Sequence, residues 1–326
     1  MRKRMAHTGL ALLFITLSGY AQPPHFYLGF DHILDNREYF TQYGVPQTIF
    51  GVRINPGVSF TFDSVHSIHA GINYMYEFGG ELLGVIPQLD IYYRFQTERL
   101  QMKLGSFPRR GTMEYPLFLL TDSLDYYRPN MEGASVRYSW DWGTVHGWID
   151  WTGRASPDTR ESILAGFDAK VRLGIFYLAP MTTRYHLART TIPGDHTRIR
   201  DDGAIMVLAG IDLSEKWFLD QLDFASGLAT TYKKSGSPFY QWYHGWYSKL
   251  DMKYWIFGFR GTYYFGDPSP LVYGEPLYSY GNYARIDLYV DPFKNPRISS
   301  KFGWNFHILP WEGLYHSMQI LIHIDL

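Results

Sequence analysis

The sequence predicts an all-β protein, a transmembrane antiparallel up-and-down β-barrel of about 16 strands within a range of roughly 14–18. Three observations predict this fold. Apolar and polar residues alternate along many short segments. Aromatic residues are abundant although the mean hydropathy is only -0.22, and short and long connections follow one another in turn. A barrel whose strands are apolar only on their lipid-facing side combines all three features.

The end of the chain shows the alternation most clearly. In the segment 315–326, which reads YHSMQILIHIDL, the apolar residues from Met318 to Leu326 fall on one side of an extended chain, whereas His323 and Asp325 fall on the other. We expect the apolar side to face lipid. This strand should close the barrel by pairing with the first strand, near His25–His32, because lipid offers no partner to an open sheet edge.

The composition agrees with a barrel and excludes several other classes. Aromatic residues make up 18% of the chain, yet no stretch of the mature chain approaches the roughly 20 consecutive apolar residues of a spanning helix. The net charge of -1 gives no sign of nucleic-acid binding. The chain has no cysteine, which excludes disulfides and thiolate metal sites.

The N-terminal residues 1–21 have the features of a secretory signal peptide. Three basic residues, Arg2–Arg4, precede a short apolar core, and small residues at the cleavage positions predict cleavage before Gln22. Residues 22–326 contain no linker-like stretch, so we expect them to form a single outer-membrane β-barrel domain.

The connections predict how the barrel sits in the membrane. Short joints such as 63–66 and 141–143 alternate with longer ones, of which 107–131 is the longest. Outer-membrane barrels have short periplasmic turns and longer outer loops in this order. The order holds only if Asn55–Gly57 is a kink inside one long strand, because a turn there would shift every later loop to the wrong side.

Three segments suggest a family: KLGSFP at 103–108, YYRPNMEG at 126–133 and GWIDW at 147–151. They resemble segments of porin-like outer-membrane β-barrels of Bacteroidota. A looser similarity runs to phosphate-type anion-selective porins, which share a strand ending in a Gly-x-Phe-x-Pro-like element before a long loop. The resemblance covers the first half of the mature chain and implies an outer-membrane channel. Such barrels commonly end in Phe or Trp, and Leu326 departs from that pattern.

These features favour a porin-like channel in the cell outer membrane for passive passage of small polar or anionic solutes. The 107–131 segment contains an apolar run, Pro116–Leu120, that would anchor it in the barrel mouth, where Arg109 and Arg110 would favour anions. The alternative is a surface hatch packed on neighbouring loops. The candidate pore and constriction residues are Arg109, Arg110, Asp122, Asp125, Asp90, Arg94, Lys103, Arg137, Asp150, Arg260, Arg285 and Asp287.

Two other functions stay open, a non-conducting barrel that serves as an assembly partner or surface-binding scaffold, and a barrel-embedded hydrolase. His146 and Asp150 would face the lumen from one strand and could act as base and orienting group. They are about 13 Å apart along a strand, however, too far for direct contact. No serine is compellingly placed to complete a triad. We therefore expect that the protein is not an enzyme.

The sequence predicts no cofactor and no metal site. The expected partners are membrane lipid and lipopolysaccharide, the outer-membrane assembly machinery, and small polar solutes. No nucleic acid is expected, and the barrel could form a homo-oligomer.

Overall fold

The computed structural model describes residues 23–157, 159–189, 198–214, 216, 218–295 and 297–326. The predicted signal peptide over 1–21 lies outside the described residues. The described chain is almost entirely β-structure in one closed antiparallel sheet. Sixteen long strands make the barrel wall. A two-residue strand, Lys294–Asn295, lies in one of the turns.

The strands follow one another around the wall in chain order. They are β1 His25–Glu38, β2 Gln47–Phe62, β3 His66–Glu77, β4 Gln88–Gln96, β5 Leu100–Pro108, β6 Asn130–Trp140, β7 Gly143–Gly153, β8 Ser162–Leu173, β9 Phe176–Leu187, β10 Arg200–Asp212, β11 Gln221–Ser235, β12 Gln241–Tyr254, β13 Phe257–Gly266, β14 Asn282–Val290, β15 Ile298–Leu309 and β16 Gly313–Asp325. The predicted all-β barrel of about 16 strands is confirmed.

The barrel closes where the first and last strands meet. β1 pairs with β16, with Phe30 opposite Ile324, and the backbone N–H of Leu28 donates to the carbonyl of Leu326 at 3.0 Å. Along β16, Met318 is 41% exposed on the outer face while Gln319 is 3% exposed on the inner face. The predicted seam and its two faces are therefore confirmed, and closure leaves no free sheet edge.

The kink at Asn55–Gly57 lies inside β2, as the connection pattern required. Pairing with β3 joins Ile54 to Tyr74 and then resumes at Gly57 and Gly71, so Pro56 has no partner on that side. Proline lacks an N–H, and such an interruption is where a strand tolerates it. The Asn55 side chain donates to the carbonyl of Ile72 at 3.0 Å and bridges the gap.

The two ends of the barrel differ. One end carries short turns, such as 63–65, 97–99, 141–142 and 174–175, and the other carries most of the longer connections together with the short turn 310–312. In outer-membrane barrels the short-turn end faces the periplasm. Among the described residues, no helix has the length and apolar character needed to cross a membrane.

Two of the long connections fold into the lumen. We call 109–129 the inserted segment, which contains helix α1 (Asp122–Tyr127), and 267–281 the second inserted segment, which contains a 3-10 helix at Pro276–Tyr280. Phe118 of the first and Tyr278 of the second are buried with ring centroids 5.1 Å apart. Phe118 also lies 5.0 Å from the ring of Tyr264 on the wall. Apolar packing therefore fills part of the lumen.

Candidate functional site

Three neighbouring strands bring Ser135, His146 and Asp168 together inside the barrel. His146 on β7 lies opposite Asp168 on β8. Its Nδ1 is 3.0 Å from Asp168 Oδ1, and its Nε2 is 2.9 Å from the Oγ of Ser135 on β6. We call these three side chains the relay. When Nδ1 carries the proton, His146 donates to the carboxylate and accepts from the serine hydroxyl.

The local sequence fixes this arrangement. The turn at 141–142 sets the pairing of β6 with β7, with Ser139 opposite Thr144 and Ser135 opposite Trp148. Ser135 and His146 are therefore diagonal neighbours on the same face, within reach of each other. On β8, Gly166 leaves room for the Trp148 ring, because a Cβ at position 166 would lie 2.4 Å from that ring.

The relay has the connectivity of a Ser–His–Asp triad. In such a triad the imidazole takes the proton of the hydroxyl as that oxygen attacks, and the carboxylate holds the imidazole in the required tautomer and orientation. Tyr115 of the inserted segment donates its phenol to Asp168 Oδ1 at 2.9 Å, and Trp148 Nε1 donates to the Tyr115 oxygen at 2.9 Å. Burial, with a further contribution from Asp168, raises the pKa of Tyr115, so the phenol stays protonated as a donor.

The inserted segment covers the relay. Ser135 is 2% exposed and His146 1% exposed. The segment contacts the wall on both sides of them, because Tyr115 binds Asp168 and the carbonyl of Thr112 accepts from Arg137. Asp168 and Arg137 line a cavity of about 800 Å³ that also touches Arg172 and Ser214, beside the short turns. The relay thus lies at the edge of a cavity in the short-turn half of the lumen.

Two other serine–histidine pairs face the lumen. Ser317 Oγ is 3.1 Å from His307 Nε2, and the second nitrogen of that ring faces the hydroxyl of Tyr283 at 2.6 Å. Ser67 Oγ is 3.0 Å from His69 Nε2. Within the described ranges, neither of these two pairs has a carboxylate on its second ring nitrogen. They serve as internal comparisons for the relay.

The predicted constriction residues of the inserted segment lie inside the barrel. Arg109 Nη2 contacts Asp150 Oδ2 at 2.6 Å, and Arg110 Nη1 contacts Asp31 Oδ1 at 2.5 Å. Asp125 lies 3.7 Å from Arg109. The segment therefore folds inward rather than forming a surface hatch. Its role in ion selectivity stays a prediction.

Of the other candidate pore residues, five line the cavity of about 800 Å³ beside the relay, namely Asp122, Arg137, Arg260, Arg285 and Asp287, and four do not, namely Asp90, Arg94, Lys103 and Asp150. Most of them are paired or hydrogen-bonded: Arg285 with Asp287 at 2.6 Å, Arg260 with Asp251, Asp122 with Gln319 at 3.2 Å, and Asp90 with Asn55 at 3.3 Å. Arg94, Lys103 and Arg137 form a separate group on adjacent strands. In the described part of the chain, no group of three or more His, Asp or Glu side chains could hold a metal ion.

A family model named lipid A 3'-O-deacylase-type matches residues 24–315, which is nearly the whole barrel. The chain belongs to the lipid A 3'-O-deacylase-type family. A comparison with curated proteins finds no significant match.

Solved structures similar to this member of the lipid A 3'-O-deacylase-type family are outer-membrane proteins. OpdK of Pseudomonas aeruginosa is 10% identical, with 94% of this chain and 100% of that chain covered and a TM-score of 0.51. OmpF of Salmonella typhi, in complex with daunomycin, is 10% identical, with 93% of this chain and 97% of that chain covered and a TM-score of 0.56. A loop-deletion mutant of OmpT, an outer-membrane protein of Vibrio cholerae, is 9% identical, with 94% of this chain and 100% of that chain covered and a TM-score of 0.56. The porin-like fold and the outer-membrane location are therefore confirmed.

Two expectations from the sequence are wrong. The expectation that the protein is not an enzyme conflicts with its membership of the lipid A 3'-O-deacylase-type family, which points to an enzymatic function. The expectation that no serine completes a site at His146 fails because Ser135 approaches from the next strand. Asp150, the predicted partner of His146, is instead held by Arg109. The finer similarity to barrels of Bacteroidota, the single-domain boundaries and the expected partners stay predictions.

Proposed function

We propose that this protein is an outer-membrane hydrolase that cleaves a carboxylic ester. Ser135 would act as the nucleophile, His146 as the general base and Asp168 as the group that orients it. The observation that carries the proposal is the continuous set of hydrogen bonds from Ser135 Oγ through both ring nitrogens of His146 to Asp168. Membership of a family named for a deacylase supports an acyl ester of a glycolipid such as lipid A as the substrate.

The reaction would run in two steps. Ser135 Oγ attacks the acyl carbonyl as His146 Nε2 takes the hydroxyl proton, and the protonated imidazole then gives that proton to the departing alcohol. Water next attacks the acyl-serine, again losing its proton to His146, and the fatty acid leaves while the proton returns to Ser135 Oγ. The serine proton leaves with the alcohol in the first step and a proton from water replaces it in the second, so the relay ends as it began and the overall products are an alcohol and a carboxylic acid.

Access to Ser135 would require movement of the inserted segment. The hydroxyl is buried, and Ser135 does not line the cavity that Asp168 borders. Release of Tyr115 from Asp168 and of Thr112 from Arg137 would uncover the relay on both sides. The folded structure would then be a covered form of the enzyme, with chemistry confined to the uncovered form.

The proposal is tested with the full-length mature protein folded in detergent. Release of free fatty acid from lipid A is followed by mass spectrometry. We expect Ser135→Ala to lower the rate about 10³-fold or more, the loss typical of removing a triad nucleophile. Ser317→Ala is the matched control, because it removes a serine bound to a histidine that lacks a carboxylate, and it should retain wild-type activity.

A fluorophosphonate probe gives a second readout. It should attach to Ser135 in the wild-type protein and fail to attach in Ser135→Ala. Equal hydrolysis by Ser135→Ala and wild type, or no fatty-acid release by the folded wild type, would contradict the proposed function.

Passive passage of small polar or anionic solutes is the second candidate function. The porin-like fold and the cavity lined by charges of both signs favour it. The apolar contacts between Phe118 and Tyr278 oppose a wide pore. Planar-bilayer recording tests this channel function. A stable, ion-selective current from the wild-type protein supports it, and the absence of any stable current excludes it.

A further inference from the structure

Three cations lie together on the lumen wall next to the relay. Arg94 on β4, Lys103 on β5 and Arg137 on β6 belong to adjacent strands. Lys103 is 8% exposed, and Arg94 and Arg137 are half-buried. We call these three side chains the cationic cluster.

The strand pairing places the cationic cluster against Ser135 and His146. Arg94 lies opposite Lys103, Lys103 lies opposite Ser135, and Arg137 lies opposite His146. Side chains opposite each other in antiparallel strands have Cβ atoms about 4.5–5.5 Å apart, and like charges in such pairs are destabilising. The arrangement therefore concentrates positive charge beside the serine hydroxyl.

No carboxylate of a described residue lies within 4.0 Å of the nitrogens of the cationic cluster. Elsewhere in the lumen such pairs are frequent, as between Arg109 and Asp150 at 2.6 Å. Asp90, a nearby acidic residue, is instead held by Asn55 at 3.3 Å. The cluster thus differs from those paired cations in having no carboxylate of a described residue in contact with it.

The acceptors that the cationic cluster does have are neutral. Lys103 Nζ donates to Thr112 Oγ1 at 2.6 Å, Arg137 donates to the carbonyl of Thr112, and Arg94 donates to Ser67 Oγ at 3.3 Å. Among the described residues, the buried Nε of Arg137 has no hydrogen-bond partner. Neutral oxygens satisfy donors without neutralising charge, so the cluster retains affinity for an anion.

We propose that the cationic cluster binds a phosphoryl group carried by the ester substrate and so holds the ester beside Ser135. Two guanidinium groups and one ammonium suit an oxyanion with several acceptor oxygens, because the guanidinium fork binds phosphate oxygens in pairs and the lysine adds a compact charge. That this group belongs to the substrate rests on the proposed function, whereas anion binding itself rests on the cluster alone.

Binding of such a group also bears on access to the relay. Thr112 of the inserted segment takes donors from both Lys103 and Arg137. A phosphoryl group that takes these donors releases Thr112, and with it one of the two contacts that hold the segment over the relay. A phosphorylated ester would therefore promote uncovering of Ser135 as it binds.

The first test uses inorganic phosphate as the probe and the full-length mature Ser135→Ala protein, which cannot turn over substrate. Isothermal titration calorimetry at constant ionic strength should show saturable binding of phosphate. Adding both Lys103→Gln and Arg137→Gln to the Ser135→Ala protein should raise the dissociation constant for phosphate at least tenfold. Arg99→Gln is the control, because it removes one positive charge at an exposed turn on the same end of the barrel, and binding should be unchanged. Heat-modifiable electrophoretic mobility verifies that each variant is folded.

A second arm distinguishes a lipid headgroup from free phosphate. Micelles doped with phosphatidic acid are compared with micelles doped with phosphatidylcholine. Binding of both phosphate and phosphatidic acid supports a site for the phosphoryl group itself, and binding of phosphatidic acid alone supports a lipid headgroup. No saturable binding of either probe, or equal binding by the cluster variants, overturns the proposal.

The two proposals can fail separately. Phosphate binding with no ester hydrolysis by the wild type would contradict the proposed enzymatic function and support the anion site. If both activities are present, Lys103→Gln with Arg137→Gln should lower the ratio of kcat/KM for a phosphorylated ester to kcat/KM for a neutral p-nitrophenyl ester at least tenfold, because easier uncovering of the relay acts on both esters alike. An unchanged ratio would overturn the substrate assignment.

Discussion

The contact between Tyr115 and Asp168 offers the sharpest test of how the relay is controlled. Tyr115→Phe keeps the ring but removes the phenol that donates to Asp168 and accepts from Trp148, both at 2.9 Å. The three relay residues stay intact. Because the variant weakens the cover without touching the chemistry, we expect it to raise the rate of ester hydrolysis.

The size of the effect follows from the two hydrogen bonds. The neutral bond from Trp148 contributes about 0.5–1.5 kcal/mol and the bond to the Asp168 carboxylate about 1.5–3 kcal/mol, so their loss weakens docking of the inserted segment by about 2–4.5 kcal/mol. If only the uncovered form reacts, its population rises by the corresponding factor of about 30 to 2000. Asp168→Asn, in contrast, should lower kcat by about 10³–10⁴, because the asparagine no longer holds the imidazole in the reactive tautomer.

Two assays are needed together. Ester hydrolysis gives kcat and KM, and limited trypsin digestion after Arg110 reports how often the inserted segment leaves the lumen. Tyr315→Phe is the control, because its phenol donates to the carbonyl of Glu312, at 3.4 Å near the opposite rim, and not to a residue of the relay or of the inserted segment. Faster cleavage after Arg110 in Tyr115→Phe without faster ester hydrolysis would refute the idea that the segment covers a working site.

Two further predictions concern the inserted segments. Phe118→Ala removes a fully buried ring and should weaken docking by about 3–5 kcal/mol, seen as rapid trypsin cleavage after Arg110. An unchanged cleavage rate would contradict the packing role of Phe118. Burial raises the pKa of the Glu275 carboxyl above its ordinary value of 4.5 in the folded protein, so folding favours the protonated form and wild-type stability should fall as pH rises above 4.5. Glu275→Gln should lose this part of the pH dependence in thermal unfolding, and identical pH profiles for the two proteins would refute it.

The fold was predictable because membrane β-barrels follow local rules. The alternation of apolar and polar residues along each strand determines which face meets lipid. The order of short and long connections determines at which end of the barrel each connection lies. The interruption at Pro56 could be interpreted correctly for the same reason, since a turn there would have broken that order. None of these inferences needed a contact between distant residues.

The relay was not predicted because it runs across strands. The sequence pattern paired His146 with Asp150 on its own strand, where two such positions of the same face lie about 13 Å apart. Neighbouring strands bring side chains within about 5 Å. The two-residue turn at 141–142 did hold a usable signal, because it fixes the register that puts Ser135 beside His146. The contribution of Asp168 could not be obtained in that way, since the longer connection 154–161 does not determine a register.

The seam between β1 and β16 sets the order in which this molecule can be made. Phe30 finds Ile324 as its partner only after the whole chain between them has been delivered to the membrane. Until then β1 and β16 each have one unpaired edge, and both edges are open to pairing with other chains. Hairpins can form one after another along the wall, but completion is a single late event that joins the oldest and the newest parts of the chain. A chain that lacked β16 would therefore leave two open sheet edges in lipid, where unpaired backbone groups find no hydrogen-bond partners.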